Sequence, residues 1–466
     1  MGGSALEILE QAKAEISVAS DARTRLQQLF DEGSFTEMDP FVVSPTGRAG
    51  VVTGYGTVNG GVVYAFSQNV QDESGAMGRA QWAKIKKVYE LALKTGCPVV
   101  GIYDSMGARL AEADEALAGY GELLKAAGNL SGVVPQVAIV AGVCAGAAAI
   151  AACSADLVIM SEKAELFLTP PFVAKAKGDN TPGAGSAANA ARAGVAHLTA
   201  ADDKAAVEAA RKLLAMLPAN NLETALAFEF GEPAAPAFDA ENMAAAAAGI
   251  ADAGSATELQ AAFGEGVYTA FATVSGTTAG LAATKGVRLT ADDSAKLARF
   301  VALCDAFHIP VVTLVNTPGF EQSSKGELAG SIREAAKLTH VYAEATTPKI
   351  SVIAGEACGA AYVALAGRGA GADMVFAWPG AVISALEPET AVALMGSEAV
   401  NAGTSREQAV AEYKATKASA LAAARGGAVD NIIEPQTTRA AVVAALDVLA
   451  SKREHKLPKK HGNIPM

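Results

Sequence analysis

At 466 residues the chain is long enough for two domains of about 230 residues, each able to bury its own core. Half of it is apolar (51%) and 18% is charged, the balance of a packed α/β protein, which excludes an intrinsically disordered chain. The net charge of −12 argues against a nucleic-acid partner, since the one dense basic cluster is the tail Lys452–His461, read as a solvated terminus.

No basic-then-apolar signal opens the chain, and the expected location is the cytoplasm. Ala14–Leu29 has a helical pattern, and Asp31-Glu32-Gly33-Ser34 is a turn. Thr53–Gly60 and Val62–Ser67 alternate as a hairpin around Asn59-Gly60. A helix is predicted over Gln81–Lys94, a strand over Val99–Tyr103, a helix from about Leu117 and a strand over Val137–Ala141, with Gly146 opening the next helix. The apolar run Ile139–Cys153 is too short to span a bilayer, so a buried strand entering a buried helix is expected there. Glu232-Pro-Ala-Ala-Pro236 and the alanine-rich Ala244–Ala248 mark a boundary, giving domains 1–235 and 255–466. The same order then returns: Ala295–Ala306 helical, Val311–Val315 extended, Glu327–Glu344 helical, Ile350–Ala354 extended. Strands alternating with helices predict an α/β fold with a parallel sheet and right-handed crossovers in each half.

The recurrence extends to individual residues. Pro135 matches Pro348, Gly142 matches Gly355 and Gly146 matches Gly359, each pair 213 positions apart. Upstream, Pro98-Val-Val repeats as Pro310-Val-Val, and Thr53-Gly-Tyr-Gly-Thr-Val-Asn-Gly60 as Thr269-Ala-Phe-Ala-Thr-Val-Ser-Gly276. Colinear matches at nearly constant offset mark an internal duplication.

The chain has no GxSxG, HExxH, Walker A or GxGxxG, and its histidines (His197, His308, His340, His455, His461) share no metal-ligand spacing, so no metal is expected. The cysteines Cys97, Cys144, Cys153, Cys304 and Cys358 lack CxxC spacing and lie in apolar stretches, as packed free thiols do; Cys358, beside a glycine turn, has no histidine near it in sequence to make it a nucleophile. Each half does offer two glycine-containing backbone turns: Gly107-Ala108 and Gly146-Ala147 in the first, Gly319-Phe320 and Gly359-Ala360-Ala361 in the second. Backbone N–H groups at such turns can take a carbonyl oxygen closely, and two of them facing one carbonyl form an oxyanion hole.

Gly33-Ser-Phe-Thr-Glu-Met-Asp39, Ala118-Gly-Tyr-Gly-Glu122, Gly142-Val-Cys-Ala-Gly-Ala147, Pro218-Ala-Asn-Asn-Leu222, Pro318-Gly-Phe320, Ala343-Glu-Ala-Thr346, Ala377-Trp-Pro379 and Lys459-Lys-His-Gly-Asn-Ile-Pro465 carry a resemblance over nearly the whole chain. They resemble the carboxyltransferase subunits of biotin-dependent acyl-CoA carboxylases and decarboxylases, the group of the propionyl-CoA carboxylase β chains and methylmalonyl-CoA decarboxylase α chains. The resemblance implies two tandem crotonase-like ββα-superhelix domains, assembled as a dimer or hexamer in which the N-domain of one subunit faces the C-domain of another. It implies that Gly146 and Ala147 hold the thioester of an acyl-CoA, and that Ala360 and Ala361 hold the ureido carbonyl of biotin, whose nitrogen then serves as the base. Gly107, Ala108, Gly319, Phe320, Gly359, Tyr362 and Val363 are implied to line the substrates, with Val363 toward the acyl end.

With neither a biotinylation motif nor an ATP-binding region, the chain is expected to need a biotin carboxyl carrier protein and either a biotin carboxylase or a membrane decarboxylase subunit. It departs from the family pattern in reading Ala145-Gly146-Ala147 for Ala-Gly-Gly, Gly359-Ala360-Ala361 for Gly-Gly-Ala and Ser105-Met-Gly-Ala-Arg109 for Gly-Gly-Gly-Ala-Arg, and in lacking an Asn-Gln-Pro loop around Thr284–Val287. Two other readings stay open: a hydratase or isomerase using Glu112, Asp114 or Glu356 over the same hole, and a non-catalytic scaffold for a biotinyl partner.

Overall fold

The structure, a computed structural model, describes residues 4–44, 47–179, 181–224, 227–229, 231, 238–395, 404–454, 456–459 and 462–465. The chain divides into two compact units, Met1–Thr224 and Ala225–Met466. In the first, strands β1 (Thr36–Met38), β2 (Val51–Val58), β3 (Gly61–Gln68), β4 (Val99–Ser105), β5 (Gln136–Ala145), β6 (Leu157–Ser161) and β8 (Leu198–Ala200) lie side by side in that order, with β7 (Glu165–Phe167) on the far end of β5. In the second, β9 (Thr257–Glu258), β10 (Val267–Val274), β11 (Thr277–Thr284), β12 (Val311–Thr317), β13 (Lys349–Cys358), β14 (Met374–Ala377) and β16 (Asn431–Ile432) repeat the order, with β15 (Val382–Ser384) on the end of β13. The first three strands of each sheet are antiparallel and the rest parallel, so each sheet is mixed rather than purely parallel.

Strands β5 and β13 occupy the middle of their sheets and are buried on both faces, which is why they read as continuous apolar runs instead of alternating. Each is longer than its periodicity predicted and carries the chain to the edge of a glycine turn. Helices α1 (Arg79–Thr95), α2 (Ala113–Leu130) and α3 (Ala147–Cys153) serve the first unit; α4 (Met243–Ile250), α5 (Ala291–Ala306), α6 (Ser331–Glu344), α7 (Gly359–Ala366) and α8 (Thr438–Leu449) serve the second.

Serines and glycines divide two segments that read as single helices. Ala14–Leu29 falls across Ala5–Ile16 and Asp21–Leu29, each capped by a serine, Ser4 and Ser20. Glu327–Glu344 is interrupted at Gly330, whose φ of +88° no continuing helix can adopt. The alanine run 244–248 lies in α4, which buries Met243, Ala246, Ala247 and Ile250 in the core of the second unit with Leu281, Val312 and Val352. The proline-rich segment 232–236 lies outside the described residues.

The duplication persists at the level of single hydrogen bonds. The hairpin turns Asn59-Gly60 and Ser275-Gly276 both have positive φ at both positions, the twist a two-residue hairpin prefers. Asp31 accepts from the N–H groups of Asn59 (3.1 Å) and Gly60 (2.9 Å), and Asp252 accepts from those of Ser275 and Gly276, both at 2.9 Å. An arginine then grips each aspartate, Arg211 at 2.8 Å and Arg439 at 2.5 Å. Lys84 and Lys296, both buried, donate to the first carbonyl of the adjoining strand, Val51 and Val267, at 3.0 Å; burial lowers the Lys296 ammonium to about 8.

Two of the matched glycines are required by close approach. A Cβ on Gly142 would overlap the carboxylate of Asp104, which is fixed by Arg25 at 3.0 Å. A Cβ on Gly355 would overlap the amide of Asn316, whose oxygen accepts from the Glu356 N–H at 3.0 Å. Neither neighbour can retreat without losing its partner. Gly142→Ala and Gly355→Ala are therefore expected to destabilise the protein by about 1–3 kcal/mol each. Gly128→Ala, on an exposed face of α2 with open space at the new methyl, should be neutral or stabilising by up to about 1 kcal/mol. Thermal unfolding midpoints for the three variants check this, and equal midpoints for all three would contradict it.

Candidate active site

Strands β4 and β5 end in register, Ser105 opposite Cys144, and three residues beyond each lie Ala108 and Ala147. The second unit repeats the arrangement: Thr317 stands opposite Ala357, and three residues beyond each come Phe320 and Ala360. Adjacent strands thus release two turns side by side at the same end of each sheet. Such strand ends are where parallel sheets place their ligands.

The first turn of each pair is shaped by a short parallel bridge. The Met77 N–H donates to the Gly107 carbonyl and its carbonyl accepts from Arg109, both at 2.8 Å. Ala108, between them, directs its own N–H to the opposite side and has no acceptor for it among the described residues. Leu289 does the same with Gly319 and Glu321, both at 2.9 Å, leaving the N–H of Phe320 likewise turned away. Gly107 and Gly319 have φ of +110° and +133°, a region open to glycine alone at no steric cost.

The second turn of each pair is a helix start. Gly146 (φ +60°) and Gly359 (φ +58°) share a positive φ where β5 enters α3 and β13 enters α7. The Gly146 N–H is committed to the Phe167 carbonyl of β7 at 3.0 Å, so of the pair Gly146-Ala147 only Ala147 has an N–H to offer. The α3 ladder begins with the Ile150 N–H on the Gly146 carbonyl at 3.2 Å, which leaves the Ala147 and Ala148 N–H groups without an intrahelical acceptor, and no side chain caps them. Ala360 holds the position of Ala147 in the second unit. It is exposed, whereas Ala361 is fully buried. Glycine at 146 and 359 supplies the backbone turn, and the small residues after it leave the donors open to a ligand.

Side chains near these turns are mostly engaged elsewhere. The Tyr362 hydroxyl donates to the Ala428 carbonyl at 2.8 Å, and Val363 is half exposed. A cavity of about 460 Å³ opens at the second turn, bounded by Phe320 and Ala360 and walled by α6 through Ile332, Ala336, Thr339 and His340. Glu112 accepts from the Arg79 N–H at 2.8 Å and from Arg109 at 3.0 Å; these partners, the Arg79 N–H foremost, hold its carboxyl below the ordinary range despite partial burial. Asp114 is exposed on α2, and Glu356, half-buried on β13, is tied through its N–H to Asn316. His197 accepts from the Val158 N–H at 3.0 Å and so secures a sheet edge. His455 and His461 lie outside the described residues. Among the described residues no three His, Cys, Asp or Glu side chains group as a metal site, and no helix is long and apolar enough to cross a membrane.

Sequence reasoning passed over two groups here, the hydroxyls of Ser105 and Thr317. They accept from the N–H of the turn glycine two residues on, at 3.1 and 3.2 Å. The signal was present as a hydroxyl residue two before the glycine in both halves.

Residues 20–464 match the family of the carboxyl transferase domain. The chain is 38% identical over 476 residues to the methylmalonyl-CoA decarboxylase subunit alpha of Veillonella parvula, covering 96% of this chain and 93% of that one. It is 37% identical over 503 residues to the propionyl-CoA carboxylase beta chain of Saccharopolyspora erythraea, covering 98% and 92%. Among solved structures, the transcarboxylase 12S hexamer with methylmalonyl-coenzyme A and methylmalonic acid bound superposes with a TM-score of 0.92 at 34% identity, over 100% of both chains.

Cys358, next to the second turn, is 2% exposed, and burial together with Glu356 and Glu389 pushes its thiol up to about 11. A nucleophile needs the thiolate, so Cys358 should resist iodoacetamide at pH 8 in the folded protein and react once urea exposes it. Peptide mapping after labelling reads this, with the partly exposed Cys97 as the positive control. Rapid native labelling of Cys358 would reinstate it as a reactive group.

Proposed function

The chain belongs to the carboxyl transferase domain family, and from that premise we propose that it moves a carboxyl group between biotin, carried on a separate protein, and a short-chain acyl-CoA of the propionyl/methylmalonyl type. The observation that carries this reading is the paired turns: in each unit two unpartnered main-chain donors leave adjacent strands together, on Ala108, Ala147, Phe320 and Ala360, none of which carries an acid, base or nucleophile. Biotin, when bound, supplies an N-carboxyl group, or a free ureido nitrogen to accept one.

In the first unit, the N–H groups of Ala108 and Ala147 take the thioester oxygen of the acyl-CoA. Negative charge grows on that oxygen as the α-carbon gains or loses its carboxyl, and fixed donors there stabilise it more than they stabilise the neutral thioester. In the second unit, Phe320 and Ala360 offer the equivalent donors to the ureido oxygen. The cavity of about 460 Å³ beside them gives the ring room. Gly146 and Gly359 act through conformation, Ala361 and Tyr362 as packed walls, and Val363 at the rim. Glu112 is held as an anion by its arginine partners, which weighs against the proton-shuttling pair a hydratase would need.

Direction is set by partners in this reading. A biotin carboxylase drives carboxylation; a membrane decarboxylase subunit draws the carboxyl group away, and two of the relatives are named as decarboxylase subunits. The chain works as a homo-oligomer, and the hexamer of its transcarboxylase neighbour is the state we assign.

The purified protein is expected to transfer carboxyl from methylmalonyl-CoA to free biotin without ATP and in the presence of EDTA. Turnover indifferent to biotin, or abolished by the chelator, would contradict the reading. Ala147→Pro deletes one proposed donor at the first helical position, where proline is tolerated and the N–H lacks a helical partner. Turnover should fall by about 100-fold or more with the fold retained. Steady-state kinetics beside a melting curve separates that loss from unfolding, and full activity in a folded variant would remove Ala147 from the site.

A further inference from the structure

The same side-chain device stands behind the first donor in both units. On β4 the Ser105 hydroxyl accepts from the Gly107 N–H at 3.1 Å and lies 3.4 Å from the Gly107 carbonyl. On β12 the Thr317 hydroxyl accepts from the Gly319 N–H at 3.2 Å, donates to the Val287 carbonyl at 2.7 Å and lies 3.1 Å from the Gly319 carbonyl. Both residues are 0% exposed, and neither hydroxyl can reach bulk water. Each occupies the last paired position of its strand, opposite Cys144 or Ala357.

The glycine between hydroxyl and donor needs this support. Gly107 and Gly319 have a wide conformational range. The bridge through Met77 or Leu289 holds the glycine carbonyl, and with it the planar peptide that carries the next residue's N–H. The hydroxyl holds the glycine N–H on the other side of its α-carbon. With the glycine held at both its N–H and its carbonyl, its φ and ψ cannot drift, and the next residue's N–H keeps one direction, away from the bridge. A misplacement of about 1 Å in such a donor costs as much as 100-fold in rate.

We propose that Ser105 and Thr317 are positioning residues that aim the Ala108 and Phe320 N–H groups at the two substrates. The inference rests on the carboxyltransferase reading above. It assigns the pair no contact with substrate: each acts through its glycine. The recurrence of one hydrogen bond at one register position in two halves whose side chains otherwise differ, Met106 against Pro318 and Ala108 against Phe320, indicates that the bond itself is what both halves keep.

The test uses four variants of the full chain: Ser105→Ala, Ser105→Thr, Thr317→Ala and Thr317→Ser. The alanine variants should lose about tenfold in kcat for biotin-dependent transfer, less than deletion of a donor outright, with the KM for acyl-CoA changed less than about twofold, because the aimed donor acts chiefly in the transition state. The variants that keep a hydroxyl should recover to within about threefold of the parent. Hydrogen–deuterium exchange at Gly107 or Gly319 gives a second readout independent of activity: the amide loses protection in the alanine variant of its own unit and keeps it in the other three.

Alanine variants with parental kcat and parental exchange would overturn the inference. So would hydroxyl-retaining variants as impaired as alanine while folded, since that would make the position one of packing. A parent protein without biotin-dependent transfer would instead remove the functional reading, and unchanged amide protection would then overturn the positioning claim on its own.

Discussion

The structure depends on a backbone constraint at the ends of its central strands. A strand that passes directly into a helix must turn sharply, and both halves do so through a glycine at φ near +60°, Gly146 and Gly359. That conformation places the following residue at the head of a helix with its N–H unspent. A neighbouring strand, held in register, turns at Gly107 or Gly319 and leaves a second N–H unspent beside it. Everything nearby serves to keep those turns in place. Gly142 and Gly355 admit the side chains of Asp104 and Asn316 between the strands, and the Asp31 and Asp252 clasps secure the hairpins at the sheet edge. Chemistry built this way needs no acidic or basic side chain in contact with the reacting atoms.

Duplication kept the backbone and let the side chains diverge. Asp104 is charged and joined to Arg25, which also holds Asp203, while its counterpart Asn316 is neutral and joined to main-chain groups. Ala108 is small, and its counterpart Phe320 contributes a ring to a cavity. One ancestral arrangement stands twice in the chain, alike in its unspent main-chain donors and different in the walls around them. Under the proposed function, two substrates of different shape, an acyl thioester and a ureido ring, fit that division.

Much of this was legible in the sequence because glycine constrains what surrounds it. Matched glycines at constant offset exposed the duplication, and Asn59-Gly60 announced its hairpin. The glycines at 107, 146, 319 and 359 marked all four turns. Which N–H was free could not be read. The Gly146 N–H is taken by Phe167 of a short strand, β7, whose pairing to β5 depends on tertiary contact and not on local pattern. The support from Ser105 and Thr317 was equally hidden, since a serine or threonine two residues before a glycine is common and gains meaning only when strand register places it beneath a turn. Helix boundaries shifted for a local reason, as serine caps and Gly330 divided segments whose apolar periodicity was continuous.

The central claim is that main-chain N–H groups of the first unit hold the thioester oxygen. Its most direct test is a crystal structure of the protein with a non-hydrolysable thioester analogue of methylmalonyl-CoA. The account predicts the carbonyl oxygen of the analogue within ordinary hydrogen-bond distance, about 2.7–3.2 Å, of both the Ala108 and Ala147 nitrogens, with no side chain closer to it. An acyl group whose oxygen instead meets a side chain, or which sits at the Phe320 and Ala360 turn of the second unit, would contradict it.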